Sequence, residues 1–409
     1  MRIGATFFIA ACIFCMRYDG FAQWTQVSAY PGSVSDGRAS LVINDTAYVG
    51  GGASSSFMQF NAANGTWIPK ANIAGATKWT AISFALNGKG YVGGGNTTGG
   101  GVNANQTAEF YQYDPATNAW TRKADFGGGA RDGLLSFAIN DTGYVVGGFD
   151  GSTIWGDFWK YDASKDQWIK IGNLPMGSDV FASAFVIDNK AYIATGEKSG
   201  PYPDIDQPQV WEYDPSTGNW TRKADFPGAG RNAAVGFALN GKGYIVGGED
   251  NFSVNFTDVW SYDPVADKWT KASDAYPDAL TGWMTAFVLD STAYVGSGSG
   301  FQGSGIVGNN SFYSYHFSPS GVAEPVQPDI QLQAYPNPVN GVLTVQTGSA
   351  SVLMRTELFD VLGNKMDCPV TLSGNTATVN TQSLHPGVYF LHAYDSHGSV
   401  VKKIDVMEK

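Results

Sequence analysis

The chain has 409 residues, 15% of them charged, and a formal net charge of −11. That acidity, with no run of Lys and Arg, argues against nucleic acid as a partner, since binding by counterion release needs a basic face. The cysteines, Cys12, Cys15 and Cys368, are too few and too scattered for a disulfide framework or a thiolate metal site. No cofactor is expected.

Residues 1–22 read as a secretory signal peptide: Arg2 at the charged start, an apolar stretch from Phe7 to Met16, and small residues at Gly20-Phe21-Ala22 before Gln23. A lipoprotein signal is the rival reading, on Ile9-Ala10-Ala11-Cys12, and ranks second because the apolar run continues through Ile13, Phe14 and Met16. Nothing after the signal is apolar over the length a transmembrane helix needs.

From Trp24 to about residue 317 one unit recurs six times. In residues 231–269 a short apolar run, Val235 to Leu239, meets the turn Asn240-Gly241, and both turn residues tolerate positive φ. The return strand ends at Gly247-Gly248. A polar loop leads to Val259–Tyr262, Asp263-Pro264 opens a turn, and Trp269 follows. The corresponding turns begin at Asn44, Asn87, Asn140, Asp188, Asn240 and Asp290, spaced 43, 53, 48, 52 and 50 residues apart. Each is followed four residues later by Tyr (48, 91, 144, 192, 244, 294) and then by a glycine at 52, 95, 148, 196, 248 or 298. Four strands per unit and a period near ~50 are a β-propeller signature.

The paired glycines, the Tyr before them and the Trp six residues after the Tyr-Asp turn resemble the kelch repeat over roughly residues 24–317, with Thr195 and Ser297 departing at the first glycine. The Trp column (Trp67, Trp120, Trp168, Trp220, Trp269) lacks a member in the sixth unit, while Trp24 precedes the first. The expected fold is therefore all-β: a six-bladed kelch β-propeller over 23–317, closed by an N-terminal strand around Trp24. Closure leaves no open sheet edge at the seam. A small Ig-like β-sandwich follows.

Residues 318–329, punctuated by Pro and Gly, form a linker. Residues 330–409 alternate in short apolar runs at 342–346, 352–359, 376–379, 387–394 and 399–406, the pattern of a small sandwich. Here Tyr335-Pro336-Asn337-Pro338, Leu358-Phe359-Asp360-Val361-Leu362-Gly363 and Pro386-Gly387-Val388-Tyr389-Phe390-Leu391 are similar to the type A C-terminal sorting domain of type IX secretion cargo. The resemblance implies handling by the type IX secretion machinery in a Bacteroidota-type bacterium. It also implies export across the outer membrane, and release from or anchoring at the cell surface.

The loops from the second glycine to the Tyr-Asp aromatic span 8, 18, 13, 17, 14 and 17 residues and fall on one face of such a propeller. Long loops on a rigid scaffold are where binding residues concentrate. The innermost strands begin on that face with Lys78-Trp79, Arg131-Asp132, Asp179 with Phe181, Arg231-Asn232 and Trp283, and Glu197, Glu249 and Asp150 follow the glycines. The candidate ligand-binding residues are Trp79, Arg131, Asp132, Phe181, Glu197, Arg231, Asn232, Glu249 and Trp283. Aromatics mixed with Arg, Asp and Asn stack on a sugar ring and fork hydrogen bonds to hydroxyls or a carboxylate.

Competing structural roles are a tie between adjacent blades for Arg131 and Arg231, and a channel plug for Trp283. For Asp204 and Asp206 a calcium site competes with a solvated loop, which the missing EF-hand spacing favours. No catalytic set is expected. His316 is the only histidine before the linker, and the kelch family's copper-radical oxidases need a Tyr–Cys cross-link and His ligands. The leading expectation is a secreted or surface-anchored propeller binding a carbohydrate or a surface protein on the long-loop face. The alternative is a sugar-modifying enzyme resembling sialic acid mutarotases, with Arg131 or Arg231 meeting the sugar carboxylate and Glu197 or Glu249 as acid/base. A purely structural surface protein is the third.

Overall fold

A computed structural model describes residues 23–316 and 332–407, apart from 77, 99–104, 199–204, 251–253, 303–304, 348–352, 354, 361–364 and 396–397. The signal (1–22), the linker (318–329) and Asp204 lie outside the described residues. Contacts divide the chain into one unit over Phe21–Phe317 and another that takes in Ser318–Lys409.

The first unit holds six antiparallel four-stranded sheets, numbered here by their innermost strands: Arg38–Ile43, Ile82–Leu86, Leu135–Ile139, Ser183–Ile187, Val235–Leu239 and Thr285–Leu289. Sheets 1 to 5 are each continuous in sequence. Sheet 6 takes its outer strand from the other end of the unit: Gln23–Val27 pairs with Phe312–His316, Trp24 opposite Tyr315. The hairpins between the first two strands turn as the sequence requires. Asn44-Asp45, Asn87-Gly88, Asn140-Asp141, Asp188-Asn189 and Asn240-Gly241 all have positive φ at both positions, and in Asp290-Ser291 Asp290 does.

Six apolar clusters lie between successive sheets. Leu41, Tyr48 and Phe57 of sheet 1 meet Val92 and Tyr113 of sheet 2. The cluster between sheets 6 and 1 contains Phe287, Tyr294 and Phe312 from one and Val49 and Phe60 from the other. Trp24 packs edge-on to Tyr276 at 5.0 Å and against Tyr315 at 4.6 Å, beside sheets 5 and 6. The Trp column ties the edges. Trp120, Trp168 and Trp269 donate Nε1–H to the carbonyls of Ala71, Ala124 and Ala224 in the preceding inter-sheet connections, and Trp67 donates to Ser28.

The second glycine of each unit explains its own recurrence. The N–H of Gly52, Gly95, Gly148, Gly196 and Gly248 donates to a carbonyl of the next sheet's leading segment, at Lys78, Arg131, Asp179, Arg231 and Thr281 (2.7–3.0 Å). All five have φ between +74° and +95°, where a Cβ is strained. Between sheets 6 and 1 the contact is made instead by Ser297 Oγ, which donates to Ser35 O at 2.7 Å. The departure from glycine at 297 thus carries a hydrogen bond of its own.

The second unit is two four-stranded sheets enclosing one core, with Leu343, Val345 and Val379 from one sheet and Leu358, Leu391 and Ile404 from the other. Asn337, from the Tyr-Pro-Asn-Pro motif, accepts from Asp405 N at 2.8 Å and donates to Lys403 O at 3.0 Å. The motif is thereby pinned to the last strand, Gly398–Val406.

Candidate functional site at the mouth of the central cavity

One or two residues before each innermost strand lie Gly37, Thr80, Gly133, Phe181, Ala233 and Trp283. All six have left-handed backbones, φ +48° to +60°. Their hydrogen bonds form a closed cycle. Gly37 N donates to Trp283 O, Thr80 N to Gly37 O, Phe181 N to Gly133 O, Ala233 N to Phe181 O and Trp283 N to Ala233 O, at 2.8–3.2 Å. Gly133 N completes it through Thr80 Oγ1 at 3.0 Å. The positive φ turns each backbone so that its N–H and C=O serve the neighbouring sheets. These residues line a cavity of about 150 Å³.

Three of the candidate residues come together there. Trp79, Phe181 and Trp283 form an aromatic triangle with centroids 5.7–6.2 Å apart, Phe181 edge-on to Trp283. Trp79 is buried against Gly37, and its Nε1 donates to Asp36 Oδ1 at 2.6 Å. Phe181 and Trp283 remain partly exposed and line the cavity.

The candidate carboxylates and amides sit around this triangle and bridge sheets. Asn96 Nδ2 donates to Asp132 Oδ2 at 3.0 Å, and Asn232 Nδ2 to Glu197 Oε2 at 3.2 Å. Glu249 is buried against Gly282, where an added methyl would meet its carboxylate at 3.2 Å. Burial raises the pKa of Asp132 against the opposing amides of Asn96 and Gln106. Asp150 stands apart in a local turn, accepting from Ser152, Thr153 and Trp155 Nε1.

Arg131 and Arg231 are not brought to the mouth as ligand-binding side chains. They are 3% and 0% exposed. Arg131 forks onto Asp157 (2.5 and 3.0 Å) and lies 4.5 Å over the Trp155 ring. Arg231 forks onto Asp258 (2.6 and 3.3 Å) and lies 4.2 Å over Phe256. Each pair lies within one sheet, so the expected side-chain tie between adjacent sheets is instead made by the arginine's own carbonyl, which receives the glycine N–H of the sheet before it. Burial pushes Asp157 and Asp258 up, but the guanidinium and an indole N–H on each hold them below the usual carboxylate range. Lys78, wholly buried, is committed to Glu109 at 3.0 Å.

The acid partners were legible as a pattern that sequence reading passed over. Glu109, Asp157 and Asp258 each stand two residues before an aromatic, in EFYQYD, DFWKYD and DVWSYD. Asp36 and Thr80 carried no such signal.

Residues 83–298 match the KLHDC2/KLHL20/DRC7 Kelch-repeats domain. The chain belongs to the Kelch-repeat family. Residues 333–407 of this Kelch protein match the secretion system C-terminal sorting domain, which indicates type IX secretion to the cell surface or the extracellular space. Among the described residues no helix is long and apolar enough to cross a membrane. None of the curated proteins matches the chain.

Among solved structures, the Kelch propeller is similar to YjhT (TM-score 0.58, 18% identity, covering 70% of this chain and 96% of that one). It is also similar to a fungal alcohol oxidase of the AA5 family in complex with copper (TM-score 0.51, 17% identity, covering 91% of this chain and 85% of that one). At these identities the likeness is one of fold. The residues here do not fit a copper site. Residues 23–317 contain no cysteine and one histidine, His316, whose Nδ1 lies 3.1 Å from Thr292 Oγ1 in sheet 6.

Proposed function

We propose that the six sheets are the blades of a six-bladed propeller closed by Gln23–Val27, and that residues 1–22 are its signal, 318–329 its linker and 330–409 an Ig-like sorting domain. The exported propeller binds a carbohydrate at the mouth of its central cavity, on the long-loop face. The observation carrying this is the placement of Phe181 and Trp283. They take up two of the six cycle positions that Gly37, Thr80, Gly133 and Ala233 fill elsewhere, and both line the cavity. The chain keeps two large, partly exposed rings there, beside Trp79. Partly exposed rings ringed by fixed polar groups suit the apolar face and hydroxyls of a sugar.

Binding fits better than the mutarotase-like alternative. An acidic sugar asks for a cation to meet its carboxylate, and both arginines are committed to Asp157 and Asp258. The test is a thermal-shift screen of the exported protein against simple sugars, with Trp283→Ala alongside. A sugar-dependent rise in Tm that the variant loses supports the reading. No rise with any sugar, together with pull-down of a surface protein that Trp283→Ala abolishes, would replace carbohydrate with a protein partner.

A further inference from the structure

We infer that the long-loop face above sheets 5, 6 and 1 is a docking surface for a protein partner that presents apolar residues flanked by lysine and arginine. The inference does not use the sugar reading of the mouth.

Its first support is an exposed apolar stripe. In the loop between the second and third strands of sheet 6, Ser299–Gln302 pairs with Gly305–Gly308 as a hairpin, and its second strand presents Ile306 and Val307 to solvent. Glycines fit this hairpin closely to both neighbours. Gly308 abuts the loop that leads into sheet 1, where an added Cβ would meet Val34 Cγ1 at 3.2 Å. Gly300, opposite Val307, abuts the loop of sheet 5, where an added Cβ would meet Asn255 Nδ2 at 2.5 Å. Val254 is the residue before Asn255. Val34, Val254, Ile306 and Val307 are all exposed, Val34 and Ile306 by 60% each. Four aliphatic side chains from three sheets thus lie along one contacting stripe, and a contiguous exposed patch of this kind marks an interaction surface.

The second support is charge. Residues 23–69 and 272–316, which make up sheets 1 and 6, contain one Lys or Arg, and it is the buried Arg38. Residues 70–271 contain 17. The contrast extends to the sheet edges. The outer strands of sheets 2 to 5 each carry lysine, a residue that keeps exposed edges apart, while Thr66–Pro69 and Gln23–Val27, outer in sheets 1 and 6, carry none. The centres of protein interfaces are likewise depleted in lysine.

Charge also selects the occupant. Asp36, Asp274 and Asp278 lie in the loops beside the stripe. Asp36 accepts from Trp79 and Ser299, and Asp278 from Asn309 Nδ2 at 2.8 Å and Leu280 N at 3.1 Å. These donors are neutral and leave the carboxylate charge in place. A second copy of the chain would set the same acids against them, whereas a basic rim on the partner gains from each.

The experiment is fluorescence anisotropy on the exported full-length protein with labelled peptides of equal length: an amphipathic leucine–lysine helix, its leucine–glutamate counterpart, and a serine–lysine peptide with the same charge and no apolar face. The leucine–lysine peptide is expected to bind, and the other two to bind more weakly by about tenfold or more. Ile306→Ser and Val34→Ser should each weaken the leucine–lysine peptide by about tenfold, the scale of one aliphatic side chain left unburied. Tm should stay near wild type in both, because both side chains are exposed. Val265→Ser, in the turn after Val259–Asp263 at the other end of the strands, should leave the affinity unchanged. The inference is overturned if either control peptide binds as tightly as the leucine–lysine peptide, if either stripe variant keeps wild-type affinity, or if no peptide binds. Self-association in sedimentation that Ile306→Ser abolishes also overturns it, and gives the stripe to a second copy of the chain.

Discussion

In sheets 3 and 5 the residue two places before the mouth cycle is an arginine; in sheet 4 the same place holds Asp179. The arginines find Asp157 and Asp258, stack on Trp155 and Phe256, and are hidden from water. In sheet 4 the position matching those acids is Gln209, which accepts from Trp211 Nε1 at 3.0 Å as Asp157 and Asp258 accept from Trp159 and Trp260. The cation and its acid are thus both replaced, and what remains is a buried carboxyl with no ion-pair or side-chain hydrogen-bond partner among the described residues. Burial lifts the Asp179 pKa well above the usual value. The facing amides of Val180 and Glu197 oppose that, and the Glu197 charge adds to it. One fold position therefore tolerates a paired ion or an unpaired acid, because its backbone, through the carbonyl that accepts the preceding sheet's glycine N–H, does the same work in both.

The largest effect is expected from breaking a pair. Arg131→Ala leaves Asp157 buried without its cation and should cost about 3–5 kcal/mol by denaturant unfolding. The double variant Arg131→Met/Asp157→Asn should recover much of that loss, since replacing both members of a buried pair is often near neutral. If Arg131→Ala alone changes stability no more than a surface substitution, the pair is not the counterpart of Asp179 that the comparison requires.

The next effect sets a scale for packing without charge. Trp24→Ala removes the ring between Tyr276 and Tyr315 and should cost about 3 kcal/mol, the low end for a Trp truncation because the ring is only partly buried. An unchanged Tm would mean that the N-terminal strand does not close the propeller.

The smallest effect has the opposite sign. Asp179→Asn should raise Tm at neutral pH. A carboxyl whose folded pKa is raised contributes fully below its unfolded value of about 3.9, and that contribution is lost as pH rises toward the folded value. The wild type should accordingly lose stability across that window relative to the variant. Parallel Tm–pH curves for the two proteins would show that Asp179 is ionised and satisfied in the fold.

The repeat was legible because it is written in backbone requirements. Asn-Gly and Asn-Asp turns need positive φ at adjacent residues, and the second glycine needs both positive φ and an N–H free for the neighbouring sheet. Such demands act within a few residues and leave the same mark each time. In the second unit the five apolar runs fall on the longer strands, while the short strands Gln333–Tyr335, Lys365–Met366 and Val370–Ser373 gave no alternation to read. At the mouth, sequence order suggested that Trp79, Phe181 and Trp283 share a face, and they do meet. The same reasoning put Arg131 and Arg231 among the ligand-binding residues, because an arginine at a loop start carries no mark of whether its partner is a ligand or an aspartate 26 or 27 residues on.

By itself, then, the sequence determined the all-β repeat and the sorting tail, since these follow from local φ preferences, alternation and short motifs. Only the tertiary structure decided which charges are spent inside the sheets and which rings face the cavity. Those outcomes depend on side chains from different sheets competing for one buried space, and no single unit contains that competition.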